Sequence, residues 1–332
     1  VCSSDLRVGT AADASDRRCL SRPRFVNNGP ILQFGGGVTG FAHFGNATGA
    51  CEATPHNTMH NAVGGSTGWM ADPATAALDP IFWLHHSNID RLWELWRRSD
   101  PAHTDPATAS WLSSVPFSFH DELGAPVTIT PSQMTDILDP FLDYDYEGLP
   151  ARAPRVPVTP APTGDVEMPE PKQVPEMVGA TSRPVSLSGE AAQVAFEIHA
   201  PTGPAALESA VAPEIHLVLE NVKAEALPLE SYEVYVNVPE GTRPQDRPDL
   251  MAGVLAPFGV VGASAPEEEH GGAGLNYSMD ITEIAQTLQK EQAWDPANLR
   301  VSFVPHRFEG DREDEELPAR PLEVGRISLY YA

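Results

Sequence analysis

The chain has 332 residues, 41% of them hydrophobic, and a formal net charge of -25. That length suits one large or two ordinary domains with real cores. So acidic a surface repels nucleic acid and anionic membranes, and no run of about 18 apolar residues is present to span a bilayer.

Val1-Cys2-Ser3-Ser4-Asp5-Leu6 is the peptide that the end of a common sequencing adapter encodes. Residues 1–6 therefore read as a scar, excluded from fold reasoning, with the natural sequence beginning near Arg7. From there to about Ala50 the chain is rich in Gly, Asn and Pro and has little periodicity. Gly35-Gly36-Gly37 reads as a loop, and His43 as a loop histidine. Outside the scar the cysteines are Cys19 and Cys51, which read as free thiols.

The first chemical signal is Thr54-Pro55-His56-Asn57-Thr58-Met59-His60. It sets two imidazoles at i and i+4, the helical spacing that points both at one ion. Gly64 and Gly65 then end the helix. Glu52, four residues before His56, reads as a carboxylate favourably placed at a helix start. In the loop that follows, Met70 is a candidate pocket wall.

The second signal runs from Asp79 to Trp93. Asp79 is a good N-cap and Pro80 suits the first helical position. Phe82, His86, Ile89, Asp90 and Trp93 share one helical face. His85 and His86 are neighbours whose side chains point about 100° apart, so both do not comfortably bind one ion. Spacing alone does not say which of the two would take the ion. Asp90, one turn on, is expected to orient His86 or its neighbours, because ligating imidazoles give their other N–H to an acceptor.

Further on, Pro116–His120 reads as a short strand. Prolines recur through 148–184, which reads as an extended linker. Residues 185–332 alternate in strand fashion: Ile215, Leu217 and Leu219 lie on one face, and Tyr232, Val234, Val236 and Val238 on another. Asp280-Ile281-Thr282-Glu283 has the form of a capping box before a helix ending near Lys290. About 150 residues of this kind make an antiparallel β-sandwich. The fold class expected is α+β and multidomain.

The two histidine segments together resemble the second copper site of the tyrosinase, catechol oxidase and haemocyanin family. The Asp79-Pro80-Ile81-Phe82-Trp83-Leu84-His85-His86-Ser87-Asn88-Ile89-Asp90-Arg91-Leu92-Trp93 block matches that pattern almost residue for residue. Asp143-Tyr144-Asp145-Tyr146 resembles the Tyr-x-Tyr segment that closes the catalytic domain. Residues 185–332 are similar to the C-terminal domain of plant-type polyphenol oxidases. The resemblance implies copper held by His56, His60 and His86, with His85 and Asp90 supporting them and Phe82 and Met70 lining the pocket. It implies that Glu52 holds a water and that Asn57 orients the first ligand, a pair associated with tyrosinases. It implies phenol or catechol and dioxygen as reactants, o-quinones as products, and a C-terminal unit that caps the copper domain. Two coppers serve such a centre. The first site should lie before Glu52, where only His43 is found. Residues 7–147 are thus expected to be a partial copper-binding domain that holds at most one copper and is inactive alone. The other readings are a haemocyanin-like oxygen carrier and a redox-inactive scaffold for a single metal.

Overall fold

The computed structural model describes residues 16–37, 48–65, 68–112, 116–139, 142–151, 174–202, 213–227, 229–266, 271–306 and 320–332. The suspected scar, His43 and most of the Pro-rich stretch lie outside the described residues.

The N-terminal unit is built on two helices. A wide helical turn, Glu52–Asn57, leads into helix α1, Thr58–Gly64. Thr54 is extended (φ -153°, ψ 122°), so the turn carrying His56 starts afresh at Pro55. Gly65 ends α1 with φ 56°, a left-handed value that glycine reaches without strain. Helix α2, Pro80–Ser99, starts as its sequence dictates: Asp79 Oδ1 accepts the Ile81 N–H at 3.1 Å, and proline occupies the first position. Trp96 anchors the far end of α2. It is fully buried, stacks on Phe34 at 4.6 Å and on His103 at 4.5 Å, and donates its indole N–H to the Arg22 carbonyl at 2.7 Å. Cys19 and Cys51 are free and buried beside Trp96 and Leu92. Strand β1, Phe117–His120, pairs with β2, Pro126–Ile129, in an exposed hairpin.

The C-terminal unit is a sandwich of two antiparallel sheets. One has the order β5 (Ala192–Phe196), β10 (Leu299–His306), β7 (Ser231–Val236), β8 (Met251–Leu255). The other has the order β3 (Glu176–Ala180), β11 (Leu322–Tyr331), β6 (Ile215–Lys223), β9 (Leu275–Asp280), with β4 (Val185–Leu187) paired to the start of β11. Their facing side chains, among them Leu217, Leu219, Val234, Val236, Phe303 and Leu329, form one core. Helix α3, Thr282–Lys290, follows β9, and Asp280 Oδ1 accepts both the N–H and the hydroxyl of Thr282 at its start.

Two features depart from the sequence reading. The 148–184 stretch was expected to be linker to its end, yet β3 lies inside it and pairs with β11. Val178, wholly buried, supplies the reason: its side chain belongs to the sandwich core. β6 was expected to bury alternate residues, but His216 and Val218 are as buried as Leu217 and Leu219. Val218 sits under Ile31 of the N-terminal unit, so the outer face of that sheet is covered too.

Candidate metal centre

His56, His60, His85 and His86 come together at the junction of the two units. Each offers a ring nitrogen, and these four nitrogens all lie within 4.8 Å of one another. α1 and the turn before it supply two of the rings, set edge to face one helical turn apart. The N-terminal third of α2 supplies the others.

The first two rings are fixed from behind. His56 Nδ1–H donates to Asn57 Oδ1 at 2.8 Å, and His60 Nδ1–H donates to the Met70 carbonyl at 2.8 Å. Gly64 makes the second bond possible, because a Cβ there would strike the backbone of Ala71 and push the Met70 carbonyl away. In both cases Nε2 is left as the free nitrogen, the tautomer a metal ligand needs. The Nε2 atoms of His60, His85 and His86 are buried without a hydrogen-bond partner. Buried polar atoms are ordinarily satisfied, so three orphaned imidazole nitrogens converging on one point fit an absent cation.

The rings are also held neutral. Burial pulls His60 down to about 2, His85 to about 3 and His56 to about 4, with repulsion from neighbouring imidazoles adding to each. Burial lowers His86 as well. Neutral imidazoles suit copper and zinc alike.

The expected site residues distribute as follows. Phe82 lies 4.0 Å from His86, ring centre to ring centre, and walls the cluster from α2. Met70 is fully buried and acts through its carbonyl. Glu52 is exposed and accepts the Gly49 N–H at 3.3 Å. Asn57 is buried and grips His56. Asp90 is a correction: its Oδ2 accepts from the hydroxyls of Tyr144 at 2.7 Å and Tyr146 at 2.6 Å rather than orienting an imidazole. The Tyr-x-Tyr segment is thus fastened to α2 through Asp90. Nor does His85 stand behind the site, since its ring enters the cluster.

Two residues from the C-terminal unit escaped the sequence reading. Phe258 stacks on His60 with ring centres 3.8 Å apart and planes 13° from parallel, and its backbone N–H donates to Asn61 Oδ1 at 3.1 Å. Tyr277, buried and donating to the Ala256 carbonyl at 2.8 Å, reaches the neighbourhood of Glu52 and Asn57. Both come from about 200 residues downstream, where no local spacing marks them.

Residues 6–99 match the family profile described as the common central domain of tyrosinase, and residues 174–332 match a domain of unknown function. A tyrosinase of Hahella sp. (strain CCB-MM4) is 33% identical over 319 residues, 94% of this chain and 62% of that protein. Chloroplastic polyphenol oxidase D of Solanum lycopersicum is 27% identical over 283 residues, 79% of this chain and 44% of that one. Hemocyanin 1 of Megathura crenulata is 39% identical over 103 residues, 28% of this chain and 3% of that one. Among solved structures, a latent aurone synthase (polyphenol oxidase) shares the fold, with a TM-score of 0.54 at 20% identity over 95% of this chain and 57% of its own. The chain spans 44% and 62% of the lengths of the two oxidases. The central-domain match falls on the residues that build the histidine cluster, and the chain belongs to the tyrosinase and polyphenol oxidase family of type-3 copper proteins.

Proposed function

We propose that this chain carries the second-copper half of a phenol oxidase centre, with one ion held by His56, His60 and His86. The observation that carries the reading is the set of buried, unpartnered Nε2 atoms facing one another, with the Nδ1 atoms of His56 and His60 already engaged. Copper, when bound, supplies the one-electron redox changes that phenol oxidation by dioxygen requires. The protein's part is positioning. Asn57 and the Met70 carbonyl fix two ring orientations, Phe82 walls the pocket, and Glu52 has the part the family resemblance implies, holding a water and taking a phenolic proton. Residues 7–147 serve as the partial copper domain, the Pro-rich stretch as a tether and the sandwich as a cap. Phenols or catechols are the organic substrates. Their turnover needs a second three-histidine site, and the described residues hold one histidine cluster.

Copper titration of the purified chain tests this. One ion per chain is expected, without catechol turnover. Saturation to about 100 times the dissociation constant should add roughly 2.7 kcal/mol of stability. His86→Ala should abolish that gain; a stoichiometry of two, or an unchanged thermal shift in the variant, would refute the assignment.

The cap reading rests on Phe258, whose ring stacks on His60 where an aromatic substrate would need to lie. Such a stack is worth about 0.5–1.5 kcal/mol, and 1.4 kcal/mol is a factor of ten in affinity. Benzoate, as a phenol-like probe, should therefore bind the copper-loaded Phe258→Ala variant several-fold to about tenfold more tightly than the parent. Equal or weaker binding would show that the ring is no plug.

A further inference from the structure

We infer that the C-terminal sandwich carries a binding site for a small organic oxyanion with an apolar body, in the cleft between the outer face of β10 and the loop at 238–245, with Arg300 as its recognition residue.

The strand period builds the cleft. Leu299, Val301 and Phe303 of β10 belong to the sandwich core, so Arg300, Ser302 and Val304 point the other way. The chain leaving β7 turns at Asn237, which has a left-handed φ of 49°. The loop that follows, at 238–245, lines one side of the cleft, and Gln193 of β5 with Arg300, Ser302 and Val304 lines the other. The space between them is about 620 Å³, a size suited to a small molecule.

Arg300 stands there on a fixed backbone. Its N–H donates to Asn237 Oδ1 at 2.7 Å, and its carbonyl accepts the Asn237 N–H at 2.9 Å. The fold makes no use of its guanidinium. Nε is buried without a hydrogen-bond partner, and among the described residues the side chain joins no ion pair. The chain has 46 acidic residues against 21 basic ones, so a partly buried arginine left without a carboxylate is an exception. Buried donors are ordinarily satisfied, charged ones above all. Glu240 lies on the lining but is exposed and forms no pair with Arg300, while Arg243 is turned to Asp246 at 2.8 Å.

The occupant's chemistry follows from the donors. Nε–H and one Nη–H of a guanidinium form a fork that fits two oxygens of a carboxylate or a phosphate. The Ser302 hydroxyl accepts from Gln193 Nε2 at 2.9 Å and keeps its own O–H to donate. Val238, Pro239 and Val304 offer an apolar wall for the rest of the molecule. β5 is the sheet edge opposite β8, whose following turn carries Phe258, so the cleft stands about three strand spacings, roughly 14 Å, from the side that meets the histidines.

Titration of the full, metal-free chain with hexanoate and with hexyl phosphate tests this, with hexanol as the uncharged control. One-to-one saturation is expected for at least one anion, with hexanol about tenfold weaker or more. Amide NMR shifts should concentrate at Gly241, Thr242 and Ser302, and the tighter anion names the head group. Arg300→Gln should weaken anion binding about tenfold or more, and Arg300→Lys, which keeps the charge without the fork, should fall between. The inference is overturned by a parent chain that saturates with neither anion, by hexanol binding as tightly as the anions, by shifts confined to the histidine cluster, or by parental affinity in Arg300→Gln. The comparison of the three ligands needs no variant.

Discussion

The metal-free protein should lose stability steeply between pH 6.5 and pH 5. The sign follows from proton binding. His56, His60 and His85 have folded values of about 4, 2 and 3, below the ordinary value of 6.5 that they regain on unfolding. The unfolded chain therefore binds more protons in acid. The penalty is absent above about pH 6.5, grows as the pH falls below it, and levels off only near the depressed folded values. Each pH unit is worth up to about 1.4 kcal/mol per histidine, so the three together can cost several kcal/mol by pH 5. Carboxylates such as Glu214, Glu233 and Asp280, all lowered in the fold, add their own losses at lower pH. The window above pH 5 isolates the histidines. Urea midpoints at fixed ionic strength, with a chelator present, measure the effect. A flat midpoint across the window would mean that the rings are hydrated and that the cluster is not the desolvated site described above. Saturating zinc should flatten the upper part of the curve, because an ion holds the same nitrogens deprotonated.

The same cluster marks what a one-dimensional reading can and cannot reach. The i, i+4 spacing of His56 and His60, the Asp79-Pro80 start of α2 and the Gly64-Gly65 stop are local chemistry, and each appears in the fold where the spacing puts it. The failures involve partners brought in from a distance. Asp90 lies on the same helical face as His86, so the spacing offered a ring as its acceptor's partner; two tyrosines more than 50 residues on take it instead. The 100° rule argues against His85 and His86 meeting at one point, yet both rings enter the cluster, because the rule fixes the direction in which a side chain leaves the helix but not where a ring two bonds further out arrives. Tyr277 lies on β9, where strand alternation explains it as core, and Phe258 in the turn after β8; only the docking of the two units brings them to the site. β6 looked one-sided because the cover on its other face, Ile31, comes from the unit it docks against.

Replacing Glu94 should be the most damaging single change on α2, although Glu94 touches no histidine. Its carboxylate is 2% exposed and pairs with Arg97 at 2.7 Å and Arg98 at 3.1 Å, both with side chains 4% exposed. Those arginines fasten the C-terminal half of α2 to the rest of the unit. Arg97 bonds the Thr135 carbonyl and lies 3.4 Å from Asp105, while Arg98 pairs with Asp145 at 2.7 Å. Glu94→Ala leaves two guanidiniums buried short of an anion, and breaking a buried pair in this way costs about 3–5 kcal/mol. Glu94→Gln keeps the shape and one acceptor oxygen and should cost less. The loss reaches the metal centre through the helix: with its far end loosened, α2 no longer holds His85 and His86 opposite His56 and His60, so zinc affinity should fall together with the melting temperature. A Glu94→Ala protein that melts like the parent would show that Asp105 and Asp145 suffice to neutralise the arginines. One that melts low but binds zinc with parental affinity would show that the N-terminal third of α2 is held by the cluster itself.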